Sequence, residues 1–263
     1  MYGASVENRA ATNDGGQRMT ARRARGARVP GWPAAPDHAP AAEPLTLERI
    51  LDTAGRIADT DGLEALSMRR LGAELGAGAT SVYWHVRNKD ELLDLLVDRV
   101  IGEIVDDIAP ADGWREEMAE AARAARRVLI RHRHLATILG SRPTFGPNSI
   151  AALEWMLGRL RAAGFSDLSA TLGANAVTNW ASGYAVFEAR DPLGPSATDE
   201  ERAALVEAIT QVFAGLPPDE YPNMVAMMPL VRSITADSQF ESGLGWLLDG
   251  LEAELARTRA TPG

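Results

Sequence analysis

The chain has 263 residues, 46% apolar and 24% charged, which is ordinary for a folded globular protein of one or two domains with a sizeable core. No apolar run approaches the ~18 residues of a membrane span, no apolar stretch follows the N-terminal arginines as a secretion signal requires, and Lys89-Asp90-Glu91-Leu92 is internal and so no retention signal. The absence of cysteine excludes disulfides, thiolate metal sites and a thiol nucleophile and points to the cytoplasm; a net charge of −9 excludes nucleic acid only if that charge is spread evenly.

It is not spread evenly. Up to Arg28, six arginines face two carboxylates, while Lys89 is the only lysine in the whole chain. Residues 1–44 lack periodicity and are rich in Gly, Ala, Pro and Arg. Pro30, Pro33, Pro36, Pro40 and Pro44 forbid a continuous helix there, so the stretch reads as a disordered arm and a semi-rigid linker. Thr46 then opens a helix whose apolar face carries Leu47, Ile50, Leu51, Ala54, Ile57 and Ala58, stopped by Asp61-Gly62. Ser67 caps a short helix with Met68, Leu71 and Leu75. A Gly76-Ala77-Gly78 turn leads to a third helix, Ala79 to about Val86. Asn88 and Glu91 form a capping-box start to a long helix carrying Leu92, Leu95, Leu96, Val100, Ile104 and Ile108 and ending at Ala109-Pro110.

Further helices are predicted at about 114–131, 133–140, 147–163, 166–190, 198–214 and 237–258. Thr198 with Glu201 and Ser238 with Glu241 supply two more capping boxes, and 193–197 and 216–222 read as loops. No alternating strand pattern of useful length occurs. The fold class is therefore all-α: a three-helix N-terminal helix-turn-helix domain followed by a larger helical bundle. The expected divisions are 1–44 as a disordered arm, 45–91 as the small N-terminal helical domain, 92–258 as the larger bundle, and 259–263 as a disordered tail.

Two short helices joined by a tight glycine turn are the mark of a helix-turn-helix, whose second helix enters the major groove. Val82 and Val86 lie four apart and can pack on Leu71 and Leu75, which turns Thr80, Ser81, Tyr83, Trp84 and His85 outward. Hydroxyls and imidazole reach base edges and phosphates, and an aromatic ring packs on a sugar or a thymine methyl. Lys89 adds a phosphate contact. The alternative is that Tyr83 and Trp84 are core aromatics and Lys89 a solvated charge. In the arm, Arg22, Arg23 and Arg25 are candidates for an adjacent minor groove; the alternatives there are an ordinary solvated tail, or a chain that begins at Met19.

The run Thr80-Ser81-Val82-Tyr83-Trp84-His85-Val86-Arg87-Asn88-Lys89, followed by Leu92-Leu93, resembles the DNA-binding domain of the TetR repressors. Leu66-Ser67-Met68-Arg69-Arg70-Leu71 with Glu74-Leu75-Gly76 resembles that family's preceding helix. The likeness continues in Leu139-Gly140-Ser141-Arg142-Pro143-Thr144 and through Phe240, Gly243-Leu244, Leu247-Leu248 and Gly250-Leu251-Glu252, which resemble the tetracycline-repressor type of C-terminal domain. It covers about 45–258. The resemblance implies a phosphate or base contact from Ser67 and Arg69, operator reading by Thr80, Ser81, Tyr83 and His85, and a backbone contact from Lys89. Ala79 stands where such repressors often place a base-reading side chain, and offers only a methyl.

The same resemblance implies a homodimer through the helices at 166–190, with Leu168, Leu172, Val177, Trp180 and Tyr184, and at 237–258, with Phe240, Leu244, Leu247, Leu248, Leu251 and Leu255; both stripes can also be plain core. A cavity for a hydrophobic or aromatic effector is expected between the helices at 114–131, 147–163 and 166–190. Its candidate lining is Met118, Arg142, Phe145, Trp155, Asn175, Asn179 and Phe187. Ile138 and Asn179 stand where the resemblance places metal-coordinating histidines, so magnesium–tetracycline is not the expected effector, and no cofactor or metal is expected. His132 and His134, two apart, do not share a helix face.

The expected function is a repressor that binds a palindromic operator as a homodimer and is released by a small molecule. The alternative is an architectural DNA-binding protein without a ligand. An enzyme is not expected, because the chain has no HExxH, no GxSxG, no P-loop and no complete dinucleotide fingerprint.

Overall fold

A computed structural model describes residues 44–139, 145–189, 193, 197–231 and 233–260, and these are helical throughout, with no strand among them. The helices are α1 (Leu47–Asp61), α2 (Met68–Glu74), α3 (Ala79–Tyr83), α4 (Lys89–Asp106), α5 (Trp114–Arg131), α6 (Arg133–Leu139), α7 (Pro147–Ala163), α8 (Asp167–Ala189), α9 (Asp199–Ala214), α10 (Pro222–Val231) and α11 (Ala236–Ala260).

The caps explain most of the boundaries. Thr46 Oγ1 accepts from Arg49 N at 3.2 Å, and Gly62, at φ +84°, ends α1 by donating to the Ala58 carbonyl. Ser67 Oγ accepts from Arg70 N at 3.2 Å to start α2. Thr198 and Glu201 exchange both bonds of the expected capping box. Two boxes differ from expectation. Asn88 Oδ1 does accept from Glu91 N, but the Glu91 carboxylate reaches past it to Arg87 N at 2.6 Å. At the start of α11 the cap is Thr235, which trades bonds with Ser238, leaving Glu241 free to pair with Arg123.

Helix α10 is not among the predicted helices, and it accommodates Pro229 within it. It packs on α9, and no residue of α9 is buried; Val206, Ile209, Val212, Met224, Met227 and Leu230 of this hairpin are exposed.

Two apolar cores hold the rest. The first joins Ile50, Ala54 and Ile57 of α1, Met68 and Leu71 of α2, Val82 and Val86, and Leu92, Leu96 and Val100 of α4. It continues into the body through Val128 and Leu129 of α5, Leu135 and Ala136 of α6 and Ala185 of α8. The second packs Met118 and Ala122 of α5, Met156 and Leu160 of α7, Ala170, Ala174, Val177 and Ala181 of α8, and Phe240, Leu244, Leu248 and Leu255 of α11. The alanine stripe of α8 brings its neighbours close. Arg126 clamps three helices around it, pairing with Glu188 and Asp237, both at 2.7 Å, and stacking over Phe240 at 4.8 Å.

Most of the α11 stripe is thus the chain's own core: Phe240, Leu244, Leu248 and Leu255 are buried, and Leu247 and Leu251 partly so. On α8, Val177 is buried and Trp180 and Tyr184 partly buried, while Leu168 and Leu172 face outward. Among the described residues no helix is long and apolar enough to cross a membrane.

Candidate functional site

The α2–α3 unit is built by glycines and an aliphatic back. Gly76 takes φ +62° and lets the chain reverse. A Cβ on Gly72 would sit 3.0 Å from both the Ala77 carbonyl oxygen and the Ala79 nitrogen, so a side chain there would crowd the backbone of the turn. Ala77 N donates to Gly72 O at 2.9 Å across that contact. Val82 and Val86 are fully buried behind α3, in one core with Leu71, with Leu75 packed at its edge.

That anchoring decides what faces outward. Thr80, Ser81, Tyr83, Trp84 and His85 are all exposed, Ala79 half so. Trp84 is 85% exposed and Tyr83 50%, so neither is a core aromatic. The helix itself is shorter than the expected Ala79–Val86: it ends at Tyr83, and His85 N and Val86 N both donate to the Val82 carbonyl in a closing turn. The turn still carries Trp84 and His85 on the same exposed side.

The charges flanking this face sort into paired and unpaired. Arg56 and Arg70 share Glu74, Arg70 also holds Asp61, and Arg87 grips Glu91 at 3.0 Å. These guanidiniums hold Glu74 and Glu91 below the usual carboxylate range, through Arg56 first for Glu74 and Arg87 for Glu91. Arg69, exposed on α2, has no ion pair among the described residues. Ser67 uses a lone pair for its cap and keeps its O–H to donate. Lys89 differs from expectation: its Nζ donates to the Leu63 carbonyl at 2.9 Å, fastening the α1–α2 loop to the start of α4 and spending one of three donors. Arg22, Arg23 and Arg25 lie outside the described residues.

In the body, the expected cavity lining does not come together. Met118 is fully buried in the second core, and Phe145, Phe187, Asn175 and Asn179 are exposed. The cause is helical phase: the inward stripe of α8 is Ala170, Gly173, Ala174, Val177, Ala181 and Ala185, and both asparagines fall off it. Arg142 lies outside the described residues. Trp155 lines a cleft, of about 380 Å³, between the end of α4, the loop after it, α5 and α7.

Its other walls are Val105, Ile108, Ala109, Pro110, Ala111, Glu117 and Arg159. Glu117 is a nearly buried carboxylate that accepts from Arg159 Nε at 2.8 Å and from a second nitrogen of the same guanidinium. That fork raises the Arg159 pKa further. The arrangement offers an apolar floor, one indole and one guanidinium with an exposed edge, suited to a flat aromatic molecule bearing an acceptor. Sequence reasoning missed Glu117 and Arg159. The available signal was a carboxylate standing among the buried alanines of α5. Among the described residues no group of three or more His, Asp or Glu is arranged to hold a metal.

Residues 50–96 match the family model for bacterial regulatory proteins of the tetR family, and residues 109–255 that of the tetracycline repressor-like C-terminal domain. The transcriptional repressor DrrR1 of Streptomyces coeruleorubidus is 36% identical over 225 residues, 82% of this chain and 80% of its own. A helix-turn-helix transcriptional regulator of Saccharopolyspora erythraea is 33% identical over 213 residues, 80% of this chain and 85% of its own. The solved apo structure of ActR from Streptomyces coelicolor superposes with a TM-score of 0.71 at 35% identity, over 81% of this chain and 98% of that one; ActR has also been solved with actinorhodin.

Proposed function

The chain belongs to the tetR family of bacterial regulatory proteins, with a tetracycline repressor-like C-terminal domain, and from that premise we propose that it is a cytoplasmic repressor that binds a palindromic operator as a homodimer and is released by a small aromatic effector. The observation that carries this is the exposed Thr80–His85 face held on a fully buried Val82–Val86 back. Thr80, Ser81 and His85 read base edges, Tyr83 and Trp84 pack on sugar and methyl groups, Ala79 adds a methyl contact, and Ser67 and Arg69 hold phosphates. Residues 45–91 form the DNA-binding domain and 92–258 the ligand-binding and dimerisation domain.

Exposed Leu168 and Leu172 on α8 and exposed Trp246 on α11 support a partner subunit against those helices, and the apolar hairpin α9–α10 supports the same conclusion. The cleft beside Trp155 and Arg159 is the effector site. ActR, solved with actinorhodin, supports a small molecule as the effector.

Selection from a randomised duplex pool tests the reading. The expected product is a palindrome with half-sites about one helical turn, ~10 bp, apart; a pool left unenriched overturns it. Release of that duplex by actinorhodin and not by magnesium–tetracycline is the expected effector pattern, and release by magnesium–tetracycline overturns the effector class.

A further inference from the structure

The DNA-reading unit meets the body where α1 packs on α4 and α6. A cavity of about 330 Å³ lies at this joint, and its polar walls are Asp52, Arg56, Asp59 and Thr60 of α1, Arg99 and Glu103 of α4, and His132 between α5 and α6. His132 Nδ1 lies 2.8 Å from Asp59 Oδ2, and its Nε2 lies 2.9 Å from Glu103 Oε2. The ring is only 18% exposed. A neutral imidazole carries a single N–H and donates to one side, leaving a lone pair facing the other carboxylate; the imidazolium donates to both. One side chain at the end of α5 thus bridges the first helix of the reading unit to α4.

The other charges at the joint are already engaged. Arg99 pairs with Asp52 at 2.5 Å and comes within 3.8 Å of Glu103, and Arg56 turns away to Glu74. On the far side, Arg131 reaches toward Asp107, and the His134 ring lies beside Gly62. Asp59 Oδ1 is buried with no hydrogen-bond partner, so the bond from His132 to Oδ2 is what compensates that carboxylate.

We propose that His132 is a positioning residue for operator binding: its imidazolium, bonded to Asp59 and Glu103, fixes α1 against α4 and thereby sets the pose of the reading face. The proposal rests on the operator-binding reading above.

The test compares wild type, His132→Gln and Glu103→Gln, with binding of the pool-selected duplex followed by fluorescence anisotropy across a pH series. Wild type is expected to lose affinity about fivefold to tenfold as one charge-assisted bond is lost. His132→Gln starts weak and loses that part of the slope. Glu103→Gln is the discriminating variant. Its amide donates to a neutral ring nitrogen, so the bridge survives deprotonation, affinity is kept and the slope is lost. A merely structural histidine gives no such pattern. Amide hydrogen exchange without DNA is the second readout: His132→Gln is expected to lower protection in α1 relative to α8. An unchanged pH slope in both variants, or unchanged α1 protection in His132→Gln, overturns the proposal. If wild type enriches no duplex, the operator reading falls, and the exchange comparison still decides whether His132 holds α1.

Discussion

The helix-turn-helix unit and the larger helical body are built from the same kind of helix but hide opposite things. In the α2–α3 unit the aliphatic residues go inside and every polar or aromatic group of the Thr80–His85 face stays out. In the body, a carboxylate, Glu117, is taken inside and answered by Arg159, while large apolar groups such as Leu168, Leu172 and Trp246 remain exposed. The first pattern suits a surface that meets a polar, charged partner. The second suits a unit whose apolar exterior is to be covered and whose interior polarity is to be used.

Truncation in the body is the most severe way to test whether the two regions are one cooperative unit. Phe240 is fully buried, ringed by Trp180, Tyr184 and the Arg126 guanidinium. Phe240→Ala is expected to cost about 3–5 kcal/mol in denaturant unfolding. Because the first core runs on into α5, α6 and α8, probes in the reading unit and in the body are expected to report one shifted transition. Two separated transitions would show that the regions fold independently.

The Glu117–Arg159 pair comes next, and there the asymmetry is the measurement. Arg159→Leu strands a carboxylate that is nearly buried, whereas Glu117→Leu leaves a guanidinium that already has a solvent-facing edge. The first is expected to cost about 1–3 kcal/mol and the second clearly less. Equal losses would mean that Glu117 is hydrated, and the contrast drawn above would fail.

On the reading face the expectation inverts. Trp84 touches little of its own chain, so Trp84→Ala is expected to leave unfolding within about 0.5 kcal/mol. The selected duplex should bind about tenfold more weakly, the ~1.4 kcal/mol that one well-placed contact supplies. A large stability loss with unchanged binding would return Trp84 to the core.

These differences also mark what the sequence makes legible. Helix type, caps and the exposed face follow from local spacing: Val82 and Val86 one turn apart, Ser67 before Met68, Gly76 where φ turns positive. The cleft depends instead on which face of each helix a neighbour covers. Asn175 and Asn179 are the polar residues that stand out on α8 as a string, yet their phase turns them away from the alanine stripe. Glu117 and Arg159 come together across α5 and α7, a meeting that no single periodicity encodes. Lys89 shows a limit at short range: its position before α4 suggests a phosphate ligand, and the fold also commits one of its three donors to the Leu63 carbonyl.

The smallest effect belongs to the ion pairs beside the reading face, and its sign is what makes it useful. Arg87, through its side chain and its backbone N–H, holds Glu91 below the ordinary carboxylate value of 4.5. A carboxyl whose folded value is lowered stabilises the fold above the unfolded value and loses that contribution as pH falls through the folded one. The pair is exposed, so water and salt screen most of it. Glu91→Gln removes the titration while keeping an acceptor for the turn that starts α4. Its melting temperature is therefore expected to lie slightly below that of wild type at neutral pH, and the two curves should converge as the solution is acidified below the carboxylate range. Curves that diverge on acidification would mean that Glu91 is held protonated, and the charge pattern around the reading face would have to be redrawn.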